Sequence, residues 1–405
     1  MKIFILMKIN LKAHSNNFHW KLQENVIDKK NINTLVDFIK TTSRYTQFTK
    51  VKEFENAWSE WQGCKYSVFV NSGSSANLII IDLLKDLYKW QPKDEIIVPA
   101  VTWITDISTL LQLGFKPVFV DINLSDFSFD YEMLKSRITS KTKAIFLTHL
   151  IGFPADVDKI KEIIAGKNIL LIEDCCESYG AKINGKKVGN FGICSSFSFY
   201  WGHHMTTVEG GMVCTDDLKV YQQALLKRSH GLARELPKED QEYYRKKYKD
   251  IDFNFLFLTT GFNVRNTELS AVLGISQLKN IDSYIKIRNS NHENFINILK
   301  KFNDYFFVPT KKGISSFCLP FILKRASLKK LLQDFLTNKG IESRPLISGN
   351  LLKQPFLSEF LHSGKFPNAD LIHRNAFYIG NNQFVNKSRL DYLNNALKEF
   401  FKKYG

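Results

Sequence analysis

The sequence predicts an α/β protein with a mainly parallel, mixed sheet, followed by a smaller α+β region. Between about residues 65 and 215, short β-rich runs alternate with helical patterns. Several of these runs are continuously apolar, which is typical of strands that are covered on both faces. The chain has 405 residues and no visible internal repeat. At roughly 150 residues per domain, this length suggests two or three domains.

The first part of the chain contains the strands of the predicted sheet. Helical patterns over residues 76–87 and 156–165 separate the earlier strands, as expected for parallel strands joined by crossover helices. The candidate strands span residues 67–70, 95–98, 117–121, 144–148, 169–173, 195–199 and 211–215.

The second part of the chain is predicted to be smaller and less regular. One long helix is expected over residues 267–288, and the charged stretch 235–249 has the composition of an exposed insertion. We therefore predict a large domain over residues 1–270 and a small C-terminal domain over 271–405. The later elements are predicted at 316–323 (strand), 328–339 (helix) and 388–403 (helix).

Composition and charge indicate what kind of protein this is. Hydrophobic residues make up 44% of the chain and charged residues 24%, which is ordinary for a globular protein. The net charge of +16 comes mostly from scattered lysines. The densest basic run, 245–249, lies in a polar, tyrosine-rich stretch typical of a solvated surface, and the sequence shows no basic motif of the RNA-binding kind. No apolar run approaches the ~20 residues of a membrane span. The start, with methionines at positions 1 and 7, does not resemble a signal peptide. We expect a cytoplasmic protein that binds neither nucleic acid nor membrane.

The six cysteines do not form a metal or disulfide pattern. They include no CxxC pair, and only Cys318 lies beyond Cys214. An iron–sulfur cluster normally needs four thiolate ligands. We expect reduced, structural thiols, no metal site and no cluster.

Three segments carry the candidate chemistry. Residues 71–77, NSGSSAN, follow a strand and begin a helix, where backbone N–H groups can bind a phosphate or the serines can simply cap the helix. Residues 170–180, LLIEDCCESYG, place acidic side chains where a buried strand ends, the edge at which ligands of α/β sheets bind. Residues 196–211, SFSFYWGHHMTTVEGG, are the most specific of the three.

With these motifs in this order, and with GFNVRNTE at 261–268, the chain resembles the DegT/DnrJ/EryC1/StrS family of sugar aminotransferases. The resemblance covers nearly the whole chain. It implies the aspartate aminotransferase-like fold type I, pyridoxal 5′-phosphate (PLP) as cofactor, and a homodimer with shared active sites.

One position departs from the family pattern. Where the family has the lysine that binds the cofactor covalently, this chain has His203. An imidazole cannot replace that covalent bond, but it can act as a general base. Without the surrounding motif, a core histidine would be the better interpretation. The neighbouring His204 is expected to be structural, because consecutive side chains diverge.

The resemblance also implies which residues bind the cofactor. Gly73, Ser74 and Ser198 would bind its phosphate. Asp174 would keep the pyridine nitrogen protonated, and Trp103 would stack on the ring. The alternatives are an ordinary helix cap for Asp174 and a core or interface position for Trp103.

Five further residues complete the implied site. Glu177 would lie beside the ring hydroxyl, where most aminotransferase relatives have glutamine. Asn263 would reach the phosphate of the neighbouring subunit's cofactor. His230 and Arg234 are candidates for binding the sugar or its diphosphate, and Arg344 is a further candidate for the substrate site. For His230 and Arg234, the end of a surface helix is an equally good interpretation.

The histidine in place of lysine is similar to the sugar 3-dehydratases of this family. One branch of these enzymes uses an iron–sulfur cluster that the cysteines here cannot build. The other branch removes the C3 hydroxyl of GDP-4-keto-6-deoxy-D-mannose without a cluster. The resemblance thus implies the same dehydration of a nucleotide sugar here, with L-glutamate converting PLP to pyridoxamine phosphate and His203 as base.

Three alternatives stay open at this point. The chain could be a nucleotide-sugar aminotransferase with an unusual base, which would yield a 4-amino sugar. It could be a catalytically silent family member that binds nucleotide sugar or acts as a partner subunit. It could also perform the same dehydration on a GDP-4-keto-6-deoxy-heptose.

Overall fold

The structure, a computed structural model, describes residues 18–358 and 364–405. The predicted start of translation at position 1 or 7 lies outside these residues.

Hydrophobic periodicity located most elements to within a few residues. The predicted strand at 144–148, for example, is observed as Thr142–Thr148. The strands are β1 (Tyr66–Val70), β2 (Glu95–Pro99), β3 (Lys116–Val120), β4 (Thr142–Thr148), β5 (Leu170–Asp174), β6 (Lys182–Ile183), β7 (Lys186–Lys187), β8 (Cys194–Ser198), β9 (Gly211–Thr215), β10 (Phe306–Phe307), β11 (Cys318–Leu323), β12 (Ser343–Pro345) and β13 (Ala376–Gly380). The α-helices are α1 (Lys29–Thr41), α2 (Thr49–Gln62), α3 (Gly73–Tyr88), α4 (Thr105–Gln112), α5 (Tyr131–Arg137), α6 (Val157–Ile164), α7 (Leu218–Arg228), α8 (Lys238–Lys247), α9 (Glu268–Leu278), α10 (Ile281–Leu299), α11 (Ser327–Asn338), α12 (Pro367–Asn375) and α13 (Lys387–Tyr404).

The large sheet has seven strands in the order β1-β9-β8-β5-β4-β2-β3. Strands β3, β2, β4, β5 and β8 run parallel, and β9 runs antiparallel to β8 and β1. Every residue of β2, β8 and β9 is buried, because helices cover both faces. The predicted α/β class and the mainly parallel, mixed sheet are confirmed.

A second, antiparallel sheet follows in the order β10-β11-β13-β12. It packs against α11 and α13 around its own hydrophobic core. Trp20 also belongs to this core, and its indole N–H donates to the carbonyl of Gly380. The second core is thus built from both ends of the described chain. The domain boundary near residue 270 stays a prediction.

The prediction of one long helix over residues 267–288 is wrong. The segment forms two helices, α9 and α10, separated at Lys279 and Asn280. Asn280 has φ −111° and ψ −2°, which departs from helical geometry and breaks the run. The predicted exposed insertion contains α8, which has no buried residue.

Among the described residues, none of the helices combines the length and the apolar character needed to cross a membrane.

Candidate functional site

Three strands end at one edge of the large sheet and bring the motifs together. Strand β5 ends at Asp174 and β8 at Ser198, and the two strands run parallel. Gly211 of β9 lies opposite both Ser198 and Val70, the last residue of β1. The loop after β1, the acidic end of β5 and the segment after β8 therefore meet at this edge.

The loop after β1 forms the start of a long helix. The Ser72 hydroxyl caps α3 by accepting a hydrogen bond from the Ser75 N–H at 3.1 Å. Gly73 lies against Ser198, since a Cβ atom at position 73 would stand 2.7 Å from Ser198 Cβ. Ser74 is exposed at the same helix start. Free N–H groups and hydroxyls at a helix N-terminus suit a phosphate group.

Asp174 is a buried carboxylate that lacks a cationic partner. It is 3% exposed, and within residues 18–358 and 364–405 it makes no salt bridge. Asn77 Nδ2 donates to its Oδ2 at 2.9 Å, and the backbone N–H of Cys176 donates to its Oδ1 at 2.8 Å. A buried charge of this kind is costly unless it is paired. It fits a bound cation such as a protonated pyridine ring.

His203 follows β8 and is held by its backbone. Its N–H donates to the carbonyl of Tyr200 at 3.1 Å, and its own carbonyl accepts from Arg288 Nη2 at 3.3 Å. The side chain is 9% exposed and lies 5.4 Å from the ring of Phe317. Among the described residues, its buried Nδ1 atom has no hydrogen-bond partner. Burial, and then the charge of Arg288, lower the pKa of His203 to about 3. The imidazole is therefore neutral.

His204 points into the protein interior. It is fully buried, its Nε2 lies 3.1 Å from Ser315 Oγ, and its ring lies 4.8 Å from that of Tyr179. The structure thus places the two adjacent histidines in different surroundings.

Trp103 is an exposed aromatic side chain just after β2. The indole is 53% exposed, although it lies beside buried residues of the sheet edge. The backbone holds it, because its carbonyl accepts from the Asp106 N–H at 3.2 Å. An exposed indole on a fixed backbone provides a face on which a planar ring can stack.

Glu177 lies three residues after Asp174, and its Oε2 accepts from the Ile151 N–H at 2.9 Å. Burial raises the pKa of Glu177 to about 8, with a further contribution from the negative charge of Asp174. The carboxyl group of Glu177 is therefore mostly protonated at pH 7. In this form it can donate a hydrogen bond, as a glutamine amide does.

A cavity of about 630 Å³ is lined by several of the remaining candidate site residues. Asn263 and Arg234 both line it, together with Arg44 and Arg265, for which the sequence suggested no role. Arg265 Nε donates to Asn263 Oδ1 at 3.1 Å. Three guanidinium groups around one cavity suit a di-anionic group such as a diphosphate.

The other two substrate candidates lie apart from this cavity lining. His230 is exposed with a left-handed backbone, φ 60°, and its N–H donates to Phe262 O next to Asn263. Arg344 is exposed on β12 of the second sheet, where its charge acts on Tyr378. Arg344 lies directly opposite Tyr378 of β13, so the two side chains share one face of the second sheet.

The described residues contain one group of possible metal ligands, His149, Glu173 and Cys175. Both ring nitrogens of His149 are already used, since Nε2 lies 3.0 Å from Glu173 Oε2 and Nδ1 accepts from the Ala155 N–H. Glu173 also accepts backbone N–H groups, including that of Gly192. The group is better explained as a structural hydrogen-bond network.

The geometry as a whole fits PLP. The phosphate can bind at the start of α3. The buried Asp174 carboxylate, which makes no salt bridge among the described residues, can pair with the ring nitrogen, and the exposed indole of Trp103 can cover the ring face. Residues that sequence reasoning missed are Asn77 and Asp106, which lie beside Asp174, and the two arginines of the cavity. Arg265 stands in the quoted 261–268 motif, but nothing in the sequence linked it to Arg44.

The chain is similar to known proteins of one family. The model of the DegT/DnrJ/EryC1/StrS aminotransferase family matches residues 26–398. The GDP-4-keto-6-deoxy-D-mannose 3-dehydratase of Escherichia coli O55:H7 is 38% identical over 92% of this chain and 97% of its own length. That of Yersinia pseudotuberculosis is 37% identical over 94% and 98%. A solved structure of GDP-4-keto-6-deoxymannose-3-dehydratase with a trapped PLP-glutamate geminal diamine has a TM-score of 0.87, with 35% identity over 93% of this chain and 100% of that one.

Proposed function

The chain belongs to the DegT/DnrJ/EryC1/StrS aminotransferase family, and we propose that it removes the C3 hydroxyl of GDP-4-keto-6-deoxy-D-mannose. The products are a GDP-linked 4-keto-3,6-dideoxy sugar and ammonia, with L-glutamate converted to 2-oxoglutarate. The observation that carries the proposal is a buried, neutral His203 at the position of the family's lysine. No lysine occurs between Lys187 and Lys219.

PLP, converted by L-glutamate to its amine form, supplies the amino group that joins the C4 ketone and the ring that withdraws electrons from it. Gly73, Ser74 and Ser198 hold its phosphate. Asp174 holds a proton on the ring nitrogen, because an unpaired buried carboxylate favours a cation opposite it. Trp103 covers one face of the ring.

The protonated form of Glu177 explains how a glutamate can take the place of glutamine beside the ring hydroxyl. Its carboxyl group is mostly protonated at pH 7, since burial raises its pKa to about 8. It can therefore donate a hydrogen bond to the cofactor's ring hydroxyl without adding a second negative charge beside Asp174. This matches what the glutamine of other family members provides.

His203 is the base. Its neutral imidazole accepts the proton whose removal drives departure of the C3 hydroxyl. Among the described residues, Nδ1 of His203 has no hydrogen-bond partner, so the ring can exchange a proton there. The hydrogen bond from Arg288 to the His203 carbonyl keeps the residue in place. The resulting imidazolium can return that proton to the leaving hydroxyl. We propose no other residue as the acid for this step.

The cavity around Asn263 is assigned to the substrate and to a second copy of the chain. Arg234 and His230 bind the diphosphate or the sugar, Asn263 reaches the phosphate of the partner's cofactor, and Arg344 approaches from the second sheet. A homodimer with shared active sites and a cytoplasmic location are part of this proposal.

Mass spectrometry of the sugar tests the proposal. Purified protein is incubated with PLP, L-glutamate and GDP-4-keto-6-deoxy-D-mannose. A product that is one oxygen lighter supports it. A 4-amino sugar would instead identify an aminotransferase, and an unchanged sugar with continued 2-oxoglutarate formation would reject this hexose in favour of another sugar, such as the heptose.

A further inference from the structure

A second buried carboxyl group lies next to Asp174. Asp106, in the first turn of α4, is 0% exposed. Asn77 Nδ2 lies 2.9 Å from Asp106 Oδ1 and 2.9 Å from Asp174 Oδ2. A primary amide has two N–H hydrogens. The Asn77 amide therefore bridges the two carboxyl groups, and Thr105 Oγ1 is a third, more distant acceptor at 3.2 Å.

The far side of Asp106 is held by two hydroxyl groups. Thr148 Oγ1 donates to Asp106 Oδ2 at 2.7 Å, and Thr102 Oγ1 donates to the same oxygen. The two hydroxyl oxygens are themselves 2.7 Å apart. Thr102, Thr148 and Asn77 are all buried. Asp106 consequently has one orientation, with Oδ1 towards Asn77.

The surroundings of Asp106 favour its protonated form. Neither Asp106 nor Asp174 makes a salt bridge within the described ranges 18–358 and 364–405, and two adjacent carboxylates in a dry site do not both ionise. Burial, and then the charge of Asp174, raise the pKa of Asp106 well above its ordinary value. Cys176 also faces this pair, and burial raises the pKa of its thiol. Asp106 thus binds a proton more tightly than an ordinary aspartate does.

On the basis of the proposed function, we propose that Asp106 is a positioning residue: it fixes the Asn77 amide, and through that amide it orients the Asp174 carboxylate towards the cofactor's ring nitrogen. The Asp106 N–H also donates to the carbonyl of Trp103, so the same residue anchors the side chain assigned to the ring face.

This role predicts which replacements are tolerated. Asparagine has nearly the shape of a protonated aspartate and keeps an oxygen that can accept from Asn77. Leucine has a similar size but removes both oxygens and leaves the amide free to rotate. D106N should therefore rescue what D106L loses.

The test measures PLP binding to the full-length protein, and the absorption spectrum of bound PLP as a function of pH, for the wild type, D106N, D106L and D174N. We expect D106L to bind PLP about tenfold more weakly, the factor expected for one hydrogen bond to a charged group. Its ring nitrogen should lose its proton at a lower pH than in the wild type. D106N should stay close to the wild type in both measurements.

T148V provides a milder variant, since it removes one hydroxyl from Asp106 and keeps the side-chain volume. It should shift the spectrum in the same direction as D106L by a smaller amount. Wild-type behaviour of both D106L and T148V would overturn the inference, and so would a D106N variant as impaired as D106L. Failure of the wild type to bind PLP, or an unaltered spectrum in D174N, would overturn the proposed function together with the inference.

Discussion

Gly73 and Ser198 approach each other so closely that a methyl group at position 73 would stand 2.7 Å from Ser198 Cβ. The contact joins the start of α3 to the end of β8, two segments more than a hundred residues apart in the chain. It places the predicted phosphate-binding groups of both segments in one site.

Gly73→Ala should therefore weaken PLP binding. Overpacking of this kind costs about 1–3 kcal/mol, or roughly five- to 150-fold in affinity if the strain falls on the binding loop. Equilibrium dialysis against PLP measures the effect. Gly63→Asn is the control, because Gly63 caps α2 in open space with φ 86° and asparagine tolerates that conformation. Unchanged PLP affinity in Gly73→Ala would contradict the assigned phosphate site.

Glu177→Gln should change how stability depends on pH. The folded-state pKa of Glu177 is raised from 4.5 to about 8, so the folded protein binds this proton more tightly than the unfolded chain does. The wild type should lose stability from this group as pH rises from about 4.5 to about 8, by at most ~1.4 kcal/mol per pH unit. Urea unfolding of both proteins across this range should show a flatter profile for the glutamine variant. Parallel profiles would mean that Glu177 ionises normally.

His203→Lys should restore a covalent bond between the protein and PLP. A lysine at this position would stand where the family's lysine does, and the phosphate, ring-nitrogen and stacking residues remain to orient the cofactor. Reduction with borohydride followed by mass spectrometry of the protein detects the bond as a mass increase located at residue 203. Wild-type protein treated in the same way is the control. Absence of the adduct at residue 203 would show that His203 does not occupy the lysine position in space.

The sequence was sufficient for most of the fold because buried parallel strands produce continuous apolar runs that stand out between helical patterns. It also predicted Asp174, Ser198 and His203 as site residues, and the structure places them in or beside strand ends; their roles stay predictions. These are local signals, and the sheet topology then brings them to one edge.

The rest of the site could not be predicted, because it depends on contacts between distant segments. Asn77 and Asp106 are 29 positions apart, and their link appears only when α3 and α4 pack together. Arg44 reaches the cavity from the segment between α1 and α2. The break between α9 and α10 lies at Lys279 and Asn280, where no glycine or proline marks it in the sequence.

The most direct test of the account is the sugar product formed by His203→Asn. Asparagine keeps polarity and approximate size but cannot act as a base at neutral pH. PLP binding should persist, because the phosphate site, Asp174 and Trp103 are unchanged. Mass spectrometry of the GDP-sugar after incubation with PLP and L-glutamate should show a product one oxygen lighter for the wild type and unaltered substrate for the variant. Deoxygenation at the wild-type rate by His203→Asn would contradict the assignment of His203 as the base.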